Sequence, residues 1–291
     1  MRTITCINKE NNMSCSFTES EFSPFILRSI DGIYEQSSKI MTSSNAFSDG
    51  SVYQSSVLET RNIVLYLKDL NDHTKNRQFL IRMFPPDTKG TLIINDDNLS
   101  RKIDYYVEKI TSDSNYSVRN YQISLMCPDP YFYDIDDYTV TMASYLPSFV
   151  FSHEFNSLKE EFGYRQKNKL QNIKNEQGAD KIGITIVISA RGSVKNPSII
   201  RVESGEFIKV GTDTKPFMMS AGDKVIITTG NDNKHIYLES GGVQTNISQY
   251  MSDDSTFIQL EKGDNSIAYS ADSGVDSIEV SIKYRIRYTS A

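Results

Sequence analysis

Three histidines, His73, His153 and His235, are the side chains best suited to move protons near neutral pH or to ligate a transition metal. They lie roughly eighty residues apart, and their neighbourhoods differ: a helix start, a polar strand end and a strand start. No His-Glu-x-x-His, Gly-x-Ser-x-Gly or Walker phosphate loop stands beside them. Gly241-Gly242 follows a strand but opens no helix, so it makes no phosphate cradle. Glu160-Glu161 and Asp253-Asp254 are carboxylate pairs of the kind a glycosidase would use. Adjacent acids in polar stretches are ordinarily solvated charge. Asp134, Asp136 and Asp137 offer oxygen ligands, but the glycine of a sharp calcium loop is missing and Tyr138 begins a strand. A solvated acidic turn is the reading there. The cysteines, Cys6, Cys15 and Cys127, are odd in number and fit neither a disulfide framework nor a zinc site. Cys127 reads as a small buried thiol. The sequence therefore predicts no catalysis, no cofactor and no metal.

Stepping from side chains to the elements that would hold them, 291 residues are long for one core and comfortable for two domains. A net charge of −6 gives no electrostatic grip on nucleic acid. Seventeen Tyr and fourteen Phe argue against disorder, and the absence of Trp weakens a sugar-stacking lectin, although Tyr and His also stack on sugars. No signal-peptide core follows the N-terminus, and the best apolar run, 182–188, is far too short to span a bilayer. The expectation is a soluble protein made in the cytosol, with no membrane partner.

The chain is organised around Cys127-Pro128-Asp129-Pro130-Tyr131-Phe132, which ends an alternating run. Neither proline donates to a strand ladder, and each drives its predecessor out of the helical region, so a strand stops here. Three aromatics follow at once, which suits a stiff joint between two halves. Residues 1–130 read as an α+β domain, because strands run in sequence around one helix that Asp72 or Thr74 caps and Pro85-Pro86 stops. Phe79, Leu80, Met83 and Phe84 share one face of that helix. Between Asp31-Gly32 and the strand at 61–68, residues 35–56 are serine-rich and poor in apolar side chains. A projecting hairpin and a mobile loop fit that composition equally.

Residues 131–291 read as a β-sandwich of many short strands. Ile182, Ile184, Ile186 and Ile188 alternate in one strand, and a final alternation runs from Ile278 to Tyr288. Asn196-Pro197 is expected to turn the chain. The polar stretch 157–180 is expected to be an exposed insertion with a helical turn near 158–162. The fold class is thus mainly β, with an α+β N-terminal domain.

The joint, Ile123 to Asp134, resembles that of the distal tail protein family of long-tailed bacteriophages. So does the ordered series Gly192-Ser193-Val194-Lys195-Asn196-Pro197, Ala221-Gly222-Asp223-Lys224 and Leu260-Glu261-Lys262-Gly263-Asp264-Asn265. The resemblance implies a hexameric ring that continues the tail tube, made by N-terminal domains that are sandwich-like and carry an arm. It implies a galectin-like sandwich for the C-terminal domain, facing the adsorption proteins. Partners would be the tail tube protein, a tail-associated hub or lysin protein, the tape measure and receptor-binding proteins, at the tail tip of a virion or of a tail-like bacteriocin particle. The arm maps to about 35–56, with Tyr34, Ile40, Met41, Phe47, Val52 and Tyr53 as candidate ring contacts. The alternative reading is a carbohydrate-binding β-sandwich module that attaches to host cell-wall polysaccharide.

Overall fold

The computed structural model describes residues 2–20, 24–44, 49–69, 73–96, 99–113, 119–147, 163–167, 170–176, 178–230 and 233–291. The chain divides into two units: Met1–Ile135 with Arg287–Ala291, and Asp136–Ile286. The break therefore follows Ile135 rather than Pro130, and the last residues return to the first unit.

In the first unit, β1 (Thr3–Asn8) and β2 (Ser14–Thr18) form an antiparallel pair. β3 (Phe25–Asp31) meets β2 in parallel at Thr18–Ile26. β4 (Ser38–Ser43) and β5 (Val52–Leu58) pair only with each other, and β6 (Arg61–Asp69) then pairs with β3. Helix α1 (His73–Met83) precedes β7 (Lys89–Asp96), β8 (Leu99–Asp113), β9 (Arg119–Cys127) and β10 (Phe132–Asp134). The long β8 pairs with β7 along its first half and with β9 along its second, switching at a bulge beside Glu108. Since β9 also pairs with β6, the circuit β8-β7-β1-β2-β3-β6-β9 closes on itself. Closure leaves that circuit without free edges.

Alternation fills the interior. Ile4 and Cys6 of β1, Ile63, Leu65 and Leu67 of β6, and Ile123 and Leu125 of β9 are all buried. Leu80, Met83 and Phe84 are buried as the helical spacing predicts, and Phe84 stacks on Phe17 with centroids 6.2 Å apart. Of the two expected caps, only Thr74 can be placed. Asp72 lies outside the described residues and Thr74 sits within the helix. Asp69, buried at the end of β6, accepts from Asn76 Nδ2 at 2.7 Å and pairs with His73 Nδ1 at 2.9 Å, tying two helix side chains to the strand.

The second unit begins with β11 (Tyr138–Thr141), β12 (Ala143–Pro147), β13 (Gly163–Lys167), β14 (Leu170–Asn175), β15 (Ile182–Ala190) and β16 (Val194–Arg201). It continues with β17 (Phe207–Lys209), β18 (Met218–Met219), β19 (Lys224–Gly230), β20 (Asn233–Ser240) and β21 (Val243–Asn246). β22 (Gln259–Leu260), β23 (Gly263–Ser273) and β24 (Ile278–Tyr284) complete it. One antiparallel sheet runs β11-β24-β15-β19-β20-β21 and another β14-β23-β16-β17. Both bury their inward side chains in one cluster, with Ile186, Ile227 and Ile282 from the first and Ile199, Ile208 and Ile267 from the second. Two antiparallel sheets over a shared core are a β-sandwich.

Three expectations need correction in this unit. The stretch 157–180 is not simply an insertion: its described part forms β13 and β14, and β14 pairs with β23 to bury Ile173. Its Lys, Gln and Asn residues hide an alternation with one inward apolar position. The helical turn expected at 158–162 lies outside the described residues. The run from Ile278 to Tyr288 is not one strand either, since β24 ends at Tyr284 and β25 (Arg287–Tyr288) pairs with β10 in the first unit. Period-two alternation reports burial, not which sheet supplies it.

The third correction concerns Asn196-Pro197, which lies inside β16 and does not reverse the chain. Asn196 is fully buried with φ 49°, a left-handed backbone that Asn tolerates better than most residues. Its Oδ1 accepts from Phe217 N at 2.8 Å, and its Nδ2 donates to Asp272 Oδ2 at 2.7 Å. Gly211 makes room for it: a Cβ there would lie 2.0 Å from Asn196 Oδ1. Asn265 plays a similar part, accepting from Glu261 N at 2.8 Å and donating to the carbonyls of Glu261 and Gly263 at 2.9 and 3.0 Å. Both asparagines are buried pins for loops.

Candidate functional site

Among the described residues, those suited to catalysis have other engagements. His73 is engaged at the start of α1, and the ring of His235 lies 5.5 Å from that of Tyr237. His153, Glu160 and Glu161 lie outside the described residues. Asp134 accepts from Tyr288 Oη at 3.3 Å, whereas Asp137 pairs with Arg285 at 2.6 Å. Among the described residues, no group of three His, Cys, Asp or Glu is arranged to hold a metal. The thiols are held protonated by burial, which pushes Cys15 and Cys127 up to about 12.

What the first unit does present is a projecting hairpin. Every residue of β4 and all of β5 except Leu58 are exposed. Tyr34, Ile40, Met41, Val52 and Tyr53 are among the exposed large apolar side chains, with Ile40 at 61 % and Val52 at 65 %. Phe47 lies outside the described residues. The register places a bulge at Gln54, where Met41 faces Ser55 and Thr42 faces Tyr53. Alternation through that bulge puts Ile40, Tyr53 and Leu58 on one face and Met41, Val52 and Val57 on the other. The hairpin is apolar on both sides.

Its base is rigidly seated. Gly32 turns with φ 83°, and a Cβ there would lie 2.1 Å from the Asn62 carbonyl oxygen, so only glycine fits. Arg61, the first residue of β6, is 2 % exposed. It donates through Nη1 to the carbonyls of Gly32, Ile33 and Glu35, through Nε to that of Pro130, and through Nη2 to that of Thr289. No carboxylate is among these partners; neutral carbonyl dipoles surround the charge, and burial lowers the guanidinium from its ordinary value.

The joint residues gather around the same guanidinium. Cys127 is the cross-strand partner of Arg61 and is fully buried. After Pro128, Asp129 accepts from Tyr131 N at 3.2 Å and Tyr133 Oη at 2.6 Å. Phe132 is fully buried, with the Arg61 guanidinium 4.8 Å from its centroid. Tyr131 lies beneath Arg287 at 4.3 Å. Arg61 was missed by sequence reasoning, although the alternation of β6 places positions 61 and 69 on the inward face with Ile63, Leu65 and Leu67.

Residues 177–288 match the family model of the siphovirus-type tail component, C-terminal domain. Asn196, the Gly222-Asp223 turn and Asn265 all lie inside that range. Three solved structures share the fold of the whole chain. The Dit (gp 19.1) protein of phage SPP1, described as a paradigm of the hub adsorption apparatus in phages infecting Gram-positive bacteria, is 14 % identical. That likeness covers 98 % of this chain and 99 % of that one at a TM-score of 0.69. The phage P2 baseplate in its activated conformation with Ca is 10 % identical, with full coverage of both chains and a TM-score of 0.53. The same baseplate with Sr is 9 % identical, again with full coverage, at 0.54. No curated protein matches the chain in sequence. The mainly β fold is shared with phage hub and baseplate structures, and the family match is confined to residues 177–288.

Proposed function

We propose that this chain is a ring-forming distal tail protein, a structural hub at the tail tip that joins the tail tube to the adsorption apparatus. It acts through protein–protein surfaces, without a catalytic step. The observation that carries this reading is the β4–β5 arm. A two-stranded hairpin is marginal alone in water, and this one exposes apolar side chains on both faces. Such an arm is stabilised by crossing onto a neighbouring copy, and a heterologous contact whose rotation closes gives a finite ring. Six copies continue the tube, with the tail-component domain toward the adsorption proteins. Its other partners are the tube protein, the tail-associated hub protein and the tape measure. The acidic chain suits a channel through which DNA passes without being held.

A photo-crosslinking residue at Tyr53, in a mixture of isotopically light and heavy protein, tests this reading. Crosslinks from Tyr53 to a second copy are expected. Crosslinks confined to the same chain at every concentration would overturn it.

A further inference from the structure

Arg61 also grips a segment outside the arm. Thr289 gives its carbonyl to Arg61 Nη2, and the residues around it are held throughout by the first unit. Tyr288 pairs with Phe132 across β25 and β10 and is 9 % exposed. The Arg101 guanidinium lies 3.7 Å from the Tyr288 ring centroid, and its Nη1 donates to the Ser290 carbonyl. Three arginines therefore stack on three aromatics around one short strand: Arg61 on Phe132, Arg101 on Tyr288 and Arg287 on Tyr131.

The guanidinium is planar and its donors are fixed in a fork, so its partners are coupled geometrically. With the Pro130 and Thr289 carbonyls bound, the remaining Nη1 group points at Gly32, Ile33 and Glu35, where the arm leaves the barrel. Without Thr289, Nη2 loses its acceptor while Nε and Nη1 keep theirs, so the fork is held at one point fewer and its grip on the arm base loosens. We propose that residues 287–290 are a latch: docking of the returning strand fixes the orientation of Arg61 and thereby the base of the arm. The arm is held for engagement only when the strand that comes back from the second unit is in place. The latch concerns the single chain and does not depend on ring formation, so either idea can fail without the other.

Hydrogen exchange of the full chain against a chain ending after Ile286 tests the latch. The amides to follow are Glu59 N–H, which donates to Ser37 O, and the base pairs Ser38–Leu58 and Lys39–Val57. These are expected to exchange about tenfold faster without the latch, while β15 and β19 keep their protection. Unchanged exchange at the arm base would overturn the proposal. Should β1 and β6 also lose protection in the shortened chain, the Arg101→Ala variant decides. It removes the Tyr288 stack and the Ser290 contact but leaves Arg61 in place, and faster exchange confined to the arm base is expected. An arm base as protected as in the parent chain would again overturn the latch.

Discussion

Arg61 Nε donates to the carbonyl oxygen of Pro130 at 2.9 Å, tying the first residue after the arm to the last proline of the joint. The two are far apart in sequence and share no charge partner. The contact means that the arm and the joint are not independent pieces of surface. One buried cation organises both, and its removal would be felt at each.

Arg61→Ala should therefore be among the most destabilising single changes in the first unit. It leaves carbonyls of Gly32, Ile33, Glu35, Pro130 and Thr289 without their donor in a largely buried site. A loss of about 3 kcal/mol is expected, because neutral carbonyls lose their donor and no charge is left unpaired. Arg61→Lys keeps the charge but cannot reproduce the fork, and should cost about 2 kcal/mol. Urea unfolding followed by tyrosine fluorescence would measure both. A change below about 0.5 kcal/mol for Arg61→Ala would contradict the clamp.

Asn196 should be sensitive for two separable reasons, backbone and side chain. Asn196→Ala loses the partner of a buried Phe217 N–H and keeps a left-handed φ, and about 3 kcal/mol is expected. Asn196→Gly relieves only the backbone part and should recover about 1 kcal/mol of that. Thermal unfolding of the second unit would rank the pair. Equal losses would mean that the backbone conformation does not matter.

The thiols set an alkaline limit. Cys15 and Cys127 bind their protons more tightly folded than unfolded, with the ordinary thiol value of 9.0 raised to about 12 by burial. Their contribution to stability is full below pH 9 and is lost as pH rises toward 12, because unfolding then releases protons. Two consequences can be measured. Native Cys127 should resist alkylation at pH 8, and unfolding free energy should fall above pH 9. Rapid native labelling of Cys127 would contradict its burial.

Replacing apolar side chains on the arm should separate assembly from folding. Ile40→Ser with Tyr53→Ser removes exposed apolar surface from one face and touches no core contact. The melting temperature of the single chain should move by no more than about 2 °C. Association between copies should weaken at least tenfold by sedimentation velocity. Unaltered association would exclude this face of the arm as the contact.

Much of the fold was legible because burial in strands follows alternation. Ile182 to Ile188 and the face of α1 read directly from spacing, whereas composition left a projecting hairpin and a mobile loop equally open for the segment between Asp31-Gly32 and β6. Less legible were features that depend on partners distant in sequence. Arg61 and Asp69 occupy inward positions at the two ends of one strand, where a charge ordinarily reads as the boundary of the apolar run. Only the fold reveals that carbonyls await one and the helix start awaits the other. Asn196 read as a turn because Asn-Pro usually is one, and its buried side-chain contacts lie with Phe217 and Asp272. The return of β25 to the first unit left no mark in the alternation from Ile278 onward.

The most direct test of the account is the mass of the protein in solution by light scattering, with images of the main peak. Six copies of the 33.0 kDa chain, roughly 200 kDa, in rings that the Ile40→Ser, Tyr53→Ser variant fails to form, are the predicted result. A monomer at every concentration, unchanged by the arm substitutions and by added tail tube protein, would contradict it.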